Sequence, residues 1–431
     1  MPCPNSAQPL LNGIVVYGPF PWPCGTFRKP LMRKLGKVVV VSQHYPPDRS
    51  TTAAIMKAIA EHLAAEVEVL ILSGTAGSAT DDSTSPNQPA VVEIKNWRPA
   101  KAALIRRAAA EAAFAFRAFR ALMKELHKGD VVLTVTAPFA LPYAVAAAAR
   151  LKRARSVLIM HDLFPEVLVM AGLLRATSIL ASLMRGANSL MFRALNAVVI
   201  IGRDTEQHLL RYWGMTRDKI CFIPNWATLV PGVRPIVAGN SYRPSGARFV
   251  VGLSGNLGFT HDPVTVFDAA RLLQDEPDIH FLLSGWGIGF ERLKALQSET
   301  ALPNVTLLDR VPEENLEQFL SAANLWLIPY RKNVAGVSVP SRFYNLLAVG
   351  RPVIIVSEPD AEAALTVTEH GVGWVVAPGK PDELAQAIRV ASFSRDASQA
   401  ERAAAIAVHF SFSRAMASYS ELVQNLLRKV P

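Results

Sequence analysis

The chain has 431 residues, half of them hydrophobic and 19% charged, with a formal charge of +10. That length points to two domains of roughly 200 residues each, and that composition excludes wholesale disorder. Residues 1–235 hold 28 Lys and Arg against 15 Asp and Glu, and residues 236–431 hold 17 against 20, so the basic surplus belongs to the first half. Such an asymmetry suits a half that faces anionic lipid or nucleic acid.

Residues 1–36 are proline-rich and lack an apolar core of signal-peptide length, so a poorly ordered extension is expected there. Cys3, Cys24 and Cys221 stand apart with no CxxC or Cys/His spacing, which encodes neither a disulfide framework nor a zinc site and fits a reducing cytoplasm. Order is expected from "KVVVVSQHYPPDRSTTAAIMKAIAEHLAA", a buried strand, a proline-marked loop and a helix entered through Ser50, Thr51 or Thr52. The runs "VEVLILSG", "DVVLTVTAP", "RSVLIMHD", "NAVVIIGRD" and "KICFIPNW" continue the series, with helical sequence between them. Between the first two of these, residues 101–128 place Leu104, Ala108, Ala112, Ala115, Phe119, Leu122 and Leu126 on one helical stripe, with most of the basic residues elsewhere. A basic amphipathic helix of this kind lies either in a membrane interface or against a core, and residues 172–197 add a second arginine-studded apolar stretch. No run of about 18 apolar residues is present to span a bilayer.

Residues 231–247 are rich in Pro and Gly without periodicity and read as a linker. A second alternating set follows: "FVVGLSG", "HFLLSGWG", "NVTLLD", "NLWLIPY", "RPVIIVS" and "GVGWVVAP". The pattern predicts an α/β protein of two tandem doubly wound parallel-sheet (Rossmann-like) domains, 37–230 and 248–410, with ligands at the carboxyl ends of the strands and in the cleft between them.

Three strand ends of the second domain run into glycine and then a helix. Gly255 and Gly258 follow one strand, Gly285, Gly287 and Gly289 another, and the third opens "GVSVPSRFYNLLAVGRPVIIV". In that stretch Ser338 is expected to cap a helix, with Pro340 in its first turn, Ser341 and Arg342 beside it, and Gly350 closing the far end. Glycine permits close backbone approach and a helix N-terminus attracts phosphate, so the three together point to a nucleotide diphosphate, with Arg342 as a fork-shaped cation. Neither a Walker A pattern nor GxGxxG is present.

Taken together, "QHYPPD", "HDLFPE", "IPNW", "SGNLG", "LLSGWG" and "VPSRFYNLLAVGRPVI" resemble the retaining family 4 glycosyltransferases of the GT-B fold. The likeness runs from about Lys37 to the end and is strongest to the bacterial branch that builds lipid-linked oligosaccharides and exopolysaccharide repeats. It implies a nucleotide-sugar donor as substrate, with no separate cofactor, held by Gly255, Asn256, His261, Gly285, Gly287, Ser338, Pro340, Ser341 and Arg342, with the base near Arg310, Val311 and Pro312. It also implies an acceptor docked at Tyr45, Pro46, Pro47 and Asp48 and at His161, Asp162 and Glu166, and a closing helix over 411–431 packed toward the first domain. Many relatives carry two glutamates eight positions apart where Val337 and Asn345 stand here, leaving Asn345 to bond a ribose hydroxyl as a neutral group. Asn256 and His261 replace an Arg and a Lys, so phosphate neutralisation leans on Arg342 unless His261 is protonated.

Arg342, His161 and Asn256 are the candidate catalytic residues, and Asp162 with Glu166 a carboxylate pair of which one member can serve the acceptor as base. A carboxylate pair is also what a retaining glycosidase needs. No D-x-D triplet occurs, so metal-independent charge neutralisation is expected, with no metal site. The function expected is hexosyl transfer in cell-surface polysaccharide synthesis, at the cytoplasmic face of an anionic membrane, on a lipid-linked saccharide. The alternatives are a GT-B sugar-nucleotide epimerase and a basic nucleic-acid-binding protein; no RNP, helix-turn-helix or zinc-finger signature supports the second, and nucleic acid is not an expected partner.

Overall fold

In the computed structural model, residues 36–48, 50–74, 89–97, 104–394, 396 and 398–428 are described. Apart from Gly36, the expected extension lies outside them, as do residues 101–103. The valine run after Lys37 forms β1 (Val38–Ser42), buried at every residue as a strand covered on both faces must be. Ser50 caps α1 (Thr51–Ala64), its Oγ accepting from Ala53 N at 3.3 Å. β2 (Val69–Ser73), β3 (Ala90–Glu93), α2 (Leu104–Glu125), β4 (Val131–Val135), α3 (Leu141–Lys152) and β5 (Arg155–Met160) follow. Next come α4 (Glu166–Met170), α5 (Ile179–Ala194), β6 (Ala197–Ile200), α6 (Thr205–Leu209) and β7 (Ile220–Phe222). All seven strands pair in parallel in the order β3-β2-β1-β4-β5-β6-β7. β3 is an addition to the expected series; as a largely exposed edge strand it carries neither an apolar run nor a clean alternation.

The second sheet has the order β10-β9-β8-β11-β12-β13, again parallel throughout. Its strands are β8 (Phe249–Asn256), β9 (Ile279–Trp286), β10 (Val305–Leu308), β11 (Leu325–Pro329), β12 (Val353–Val356) and β13 (Gly373–Val376). α7 (Pro263–Leu272), α8 (Ile288–Thr300), α9 (Leu316–Ala322), α10 (Arg342–Ala348), α11 (Glu362–His370) and α12 (Pro381–Phe393) connect and cover them. Asp262 caps α7 by accepting from Val264 N and Thr265 N. α13 (Ser398–Ala407) packs Ala403, Ile406 and Ala407 into the second core. α14 (Phe412–Arg428) returns to the first, burying Met416, Tyr419, Val423 and Leu427 beside Val38 and Ile59. Each of those side chains contributes about 1.5–3 kcal/mol, ample to hold a terminal helix.

Two stretches gain detail from the structure. Residues 231–247 form no helix or strand, but they are not slack: Gly232 N and Arg234 N donate to Ala348 and Val349 carbonyls, which α10 leaves unpaired at its end. Arg243 adds bonds to Ala322 O at 2.8 Å and Asn324 Oδ1 at 2.9 Å, so the segment is laced to the second lobe. The chain passes between the lobes just before it, at Ala227, and again at Ser411, and these two residues form a parallel bridge.

The second stretch is α2. Its buried residues are Ala110, Phe114, Ala115, Ala118 and Leu122, with Leu126 just beyond its end, packed on β1, β2 and α3, so Ala115, Leu122 and Leu126 of the expected stripe lie inside while Ala108 and Ala112 are exposed. Of the two placements open to this helix, a membrane interface or a core, its buried face takes the second, and Arg106, Arg117, Arg120 and Lys124 form its solvated side.

Candidate functional site

In both sheets the strand order reverses beside the first strand, between β1 and β4 and between β8 and β11, which opens a crevice at the carboxyl ends. At the second crevice β8 ends in Ser254, Gly255 and Asn256, and Arg342 reaches it from the first residue of α10. The guanidinium donates through Nη1 to Ser254 O and through Nη2 to Asn256 O, and Nη2 lies 3.3 Å from His261 Nε2. Burial lowers the Arg342 pKa to about 10, partly opposed by Tyr330, which still leaves it charged at neutral pH.

Gly255 makes this approach possible: its φ is +108°, and an added Cβ would sit 3.1–3.2 Å from the Arg342 guanidinium. His261 is nearly sealed from solvent, its Nδ1 2.9 Å from Thr260 Oγ1 and its ring 5.0 Å from Tyr330. Burial, and then Arg342 and Arg331, hold it well below the usual histidine range. The alternative of a protonated His261 is thus corrected: the ring is neutral, and Nε2 accepts from Arg342, so Arg342 supplies the positive charge here.

Gly285 and Gly287 serve first to let two loops touch. A Cβ on Gly285 would meet Gly255 O at 2.3 Å, and one on Gly287, at φ +95°, would meet Asn256 Oδ1 at 2.5 Å. The amides of Leu257 and Gly289 are spent on Trp286 O and Leu257 O. Gly287→Ala is expected to cost about 1–3 kcal/mol in urea denaturation, from a backbone region that only glycine tolerates; a variant as stable as the parent would show the loops to be loosely packed. Next to them Trp286, 40% exposed, stacks under the Arg310 guanidinium at 4.5 Å, with Val311 partly buried beyond.

α10 starts at Arg342 with Ser341 in the capping place and no side-chain cap, so Ser338 does not cap it. Ser338 and Pro340 lie instead in the preceding loop, which meets the first lobe. There a Cβ on Gly202 would strike Val339 Cγ2 at 2.6 Å, and one on Gly336 would strike the His208 ring at 2.2 Å. Asn345 is also corrected: its Oδ1 accepts from Thr228 N at 2.7 Å, Thr228 Oγ1 and Leu229 N, so it grips the segment that crosses between lobes rather than a ribose. Val337 is buried.

On the first lobe, Thr136 Oγ1 accepts from the amides of His161 and Asp162 just past β5. His161 Nε2 is buried and has no partner among the described residues. Burial alone pushes His161 down to about 4 and Asp162 up to about 6, so at neutral pH the imidazole is uncharged and the carboxylate ionised but close to its titration point. Glu166 turns away from Asp162 in its bonding, accepting from Arg185 Nε at 3.0 Å and Tyr212 OH at 3.2 Å. Tyr45 is 5% exposed and packs in the core with Ile55 and Val38, so it is not available to an acceptor, whereas Pro47 is exposed and Pro46 half-buried. Burial favours the neutral form of Asp48, but hydrogen bonds from His44 at 2.7 Å and from Ser50 N at 2.9 Å outweigh it and hold the carboxyl at about 2.

Residues not singled out from the sequence join the lobes. Arg203 donates through Nε and Nη2 to the Glu362 carboxylate, its amide adds a third bond at 2.6 Å, and Nη1 reaches Glu369. Next to it Asp204 Oδ2 accepts from Gly336 N at 2.8 Å and Glu362 N at 3.1 Å, while its buried Oδ1 has no partner among the described residues. Burial raises the Tyr330 pKa; Arg342 opposes the rise, and the carboxylates of Asp204 and Asp162 add to it. Among the described residues no group of three His, Cys, Asp or Glu side chains is placed to hold a metal ion.

The model of "Glycosyltransferase Family 4" matches residues 52–229, and that of "Glycosyl transferases group 1" matches 248–391. The chain is 28% identical over 359 residues to the probable glycosyltransferase WbjE of Pseudomonas aeruginosa, covering 82% of this chain and 89% of that one. It is 27% identical over 184 residues to the putative colanic acid biosynthesis glycosyl transferase WcaI of Escherichia coli, 41% of this chain and 45% of that one. Among solved structures, Anabaena HepE in complex with UDP superposes with a TM-score of 0.63 at 16% identity, over 91% of this chain and all of that one.

Proposed function

The chain belongs to the family 4 glycosyltransferases of the GT-B fold, and from that premise we propose that it moves a hexose from a nucleoside diphosphate sugar to a lipid-carried saccharide in cell-surface polysaccharide synthesis. The observation that carries the reading is Arg342, held charged at the β8–β11 reversal by Ser254 O, Asn256 O and His261, on a sheet edge that faces the first lobe. A sugar diphosphate laid against Gly255, Ser338 and Ser341 puts its leaving phosphate on that guanidinium, and Trp286 with Arg310 offers the base a stacking face. The alternatives of an epimerase and a nucleic-acid binder have no support from the families matched, both of which are named for glycosyl transfer.

In a retaining transfer the bond from the anomeric carbon to the phosphate oxygen breaks, and the bond to the acceptor oxygen forms on the same face. The electron pair of the broken bond leaves with the diphosphate, whose growing charge Arg342 meets, and the proton of the acceptor hydroxyl passes to the departing phosphate or to Asp162. The buried Nε2 of His161 supplies a neutral hydrogen bond to the sugar or its phosphate. No metal ion is needed in this scheme. The protein works at the cytoplasmic face of a membrane with anionic lipid, attracted by the basic first half; among the described residues no helix is long and apolar enough to cross it.

Calorimetry with a panel of nucleoside diphosphates, followed by labelled nucleotide sugars with and without lipid extract, tests the reading. Label is expected in the lipid fraction; donor conversion without any acceptor would favour the epimerase, and no affinity for any nucleoside diphosphate would overturn the proposal. If Asp162 must be ionised, kcat/KM rises with pH through about 6 and Asp162→Asn removes that limb. A wild-type profile flat from pH 5 to 7, about one unit to each side of that value, would separate Asp162 from the proton transfer.

A further inference from the structure

α5 presents three different faces. At about 100° per residue, Ala181, Asn188, Met191 and Phe192 fall on one side and are buried. Arg185 and Ser189 fall on a second, where with Glu166, His208, Arg211 and Tyr212 they line a pocket of about 450 Å³, a size typical of small-ligand sites. Ile179, Leu183 and Leu190 fall on a third, and they are 81%, 65% and 65% exposed. Gly186 lies between the second and third faces and lines the pocket, and a Cβ there would meet nothing within 4 Å, so the pocket opens directly onto the apolar stripe. The stripe continues through Leu180 and, at its far end, Trp213, which lies 4.3 Å under Arg193 and is 59% exposed. An exposed apolar run of this kind marks a contact with lipid or protein.

The pocket has the chemistry of an anion site. Arg185 spends Nε on Glu166 and Nη1 on Ala176 O, leaving its Nη2 edge without a partner among the described residues. Arg211 is exposed, makes no ion pair among the described residues, and lies close enough to His208 to lower its pKa, second to burial. Two guanidinium groups against the one carboxylate of Glu166 leave a net positive pocket. Leu163, at the pocket wall, also lines the slot next to Asp162 and Thr136, so the pocket adjoins the floor of the crevice.

We propose that this pocket takes the diphosphate of an isoprenoid-linked acceptor, between Arg185 and Arg211, and that the α5 stripe takes its hydrocarbon. The inference rests on the reading of a lipid-carried acceptor and assigns the part of the acceptor that is not sugar. An amphiphile with two phosphate charges next to a branched apolar chain matches a cationic pocket that opens through a glycine onto exposed Leu and Ile. A free phosphate would leave the stripe unexplained, and a plain bilayer would leave the pocket unexplained. With the diphosphate seated beside Leu163, the first sugars of the acceptor extend toward Asp162.

The test uses the full chain, with the nucleoside diphosphate that binds most tightly in the calorimetric panel saturating the donor site in every titration. Farnesyl diphosphate is expected to bind more tightly than inorganic pyrophosphate. Arg211→Gln, which breaks no described ion pair, should weaken both by about tenfold, the loss of one charge-assisted contact. Leu183→Ser with Leu190→Ser should weaken farnesyl diphosphate alone, and affinity for the nucleoside diphosphate should hold in every variant. Unchanged farnesyl diphosphate binding by Arg211→Gln overturns the proposal, and so does a loss of nucleoside diphosphate affinity in that variant, which would place the pocket in the donor site. Flotation with phosphatidylglycerol vesicles that is as strong without undecaprenyl diphosphate as with it also overturns it, in favour of a general lipid surface. Farnesyl diphosphate binding in a protein without affinity for any nucleoside diphosphate would sink the transfer reading while supporting this one.

Discussion

Arg342→Ala is expected to lower kcat about 100-fold, a loss of barrier stabilisation on the order of 3 kcal/mol, as for removal of a single preorganised donor. The guanidinium is fixed by two β8 carbonyls and His261 before any substrate arrives, so little reorganisation remains to be done when charge develops on the leaving phosphate. An interaction of that kind grows toward the transition state, and kcat should fall further than KM rises. Arg342→Lys keeps a charge but lacks the planar fork whose separate nitrogens serve Ser254 O and Asn256 O, and should recover only part of the loss. Steady-state kinetics with the donor identified by the nucleotide-sugar panel decide the matter. Turnover within a few-fold of wild type, in a variant that melts normally, would remove Arg342 from the chemistry.

The second large effect is expected at the junction of the lobes. Glu362 is 4% exposed, and Arg203 reaches it with two guanidinium nitrogens and its amide. Arg203→Ala leaves that carboxylate buried without its cation, a change that costs about 3–5 kcal/mol when one partner of a buried pair is lost. Glu362→Gln keeps the amide and Thr366 bonds in reach while removing the charge, and should be milder. Urea denaturation of the three proteins gives the order wild type, Glu362→Gln, Arg203→Ala. Arg203→Ala with wild-type stability would show that the pair is solvated in solution.

The sheets were legible in the sequence because parallel strands buried on both faces are written as unbroken runs such as Val38–Val41 and Val353–Val356. Glycines at 255, 285 and 287 were legible for the same local reason, although much of their close approach proved to be between loop and loop. What stayed hidden depends on distant partners. Asp204 acquires its meaning from Gly336 N, 132 positions away, and Asn345 from Thr228, 117 positions away. Trp286 reads as one more turn residue until Arg310 is placed over it. Ala115, Leu122 and Leu126 of the α2 stripe were legible, whereas Ala108 and Ala112 differ in no local property from Ala110 and Ala118, and packing on β1, β2 and α3 chooses between them.

Ala227 and Ser411 lie side by side where the polypeptide passes from one lobe to the other and back, with the Trp226 and Phe412 rings packed at 5.7 Å. A body hung on two adjacent pins can swing about the line through them but cannot slide along its neighbour or drift away from it. Any swing about that line must first part the Arg203–Glu362 pair and the bonds from Gly336 and Glu362 amides to Asp204, so the joint is latched as well as hinged.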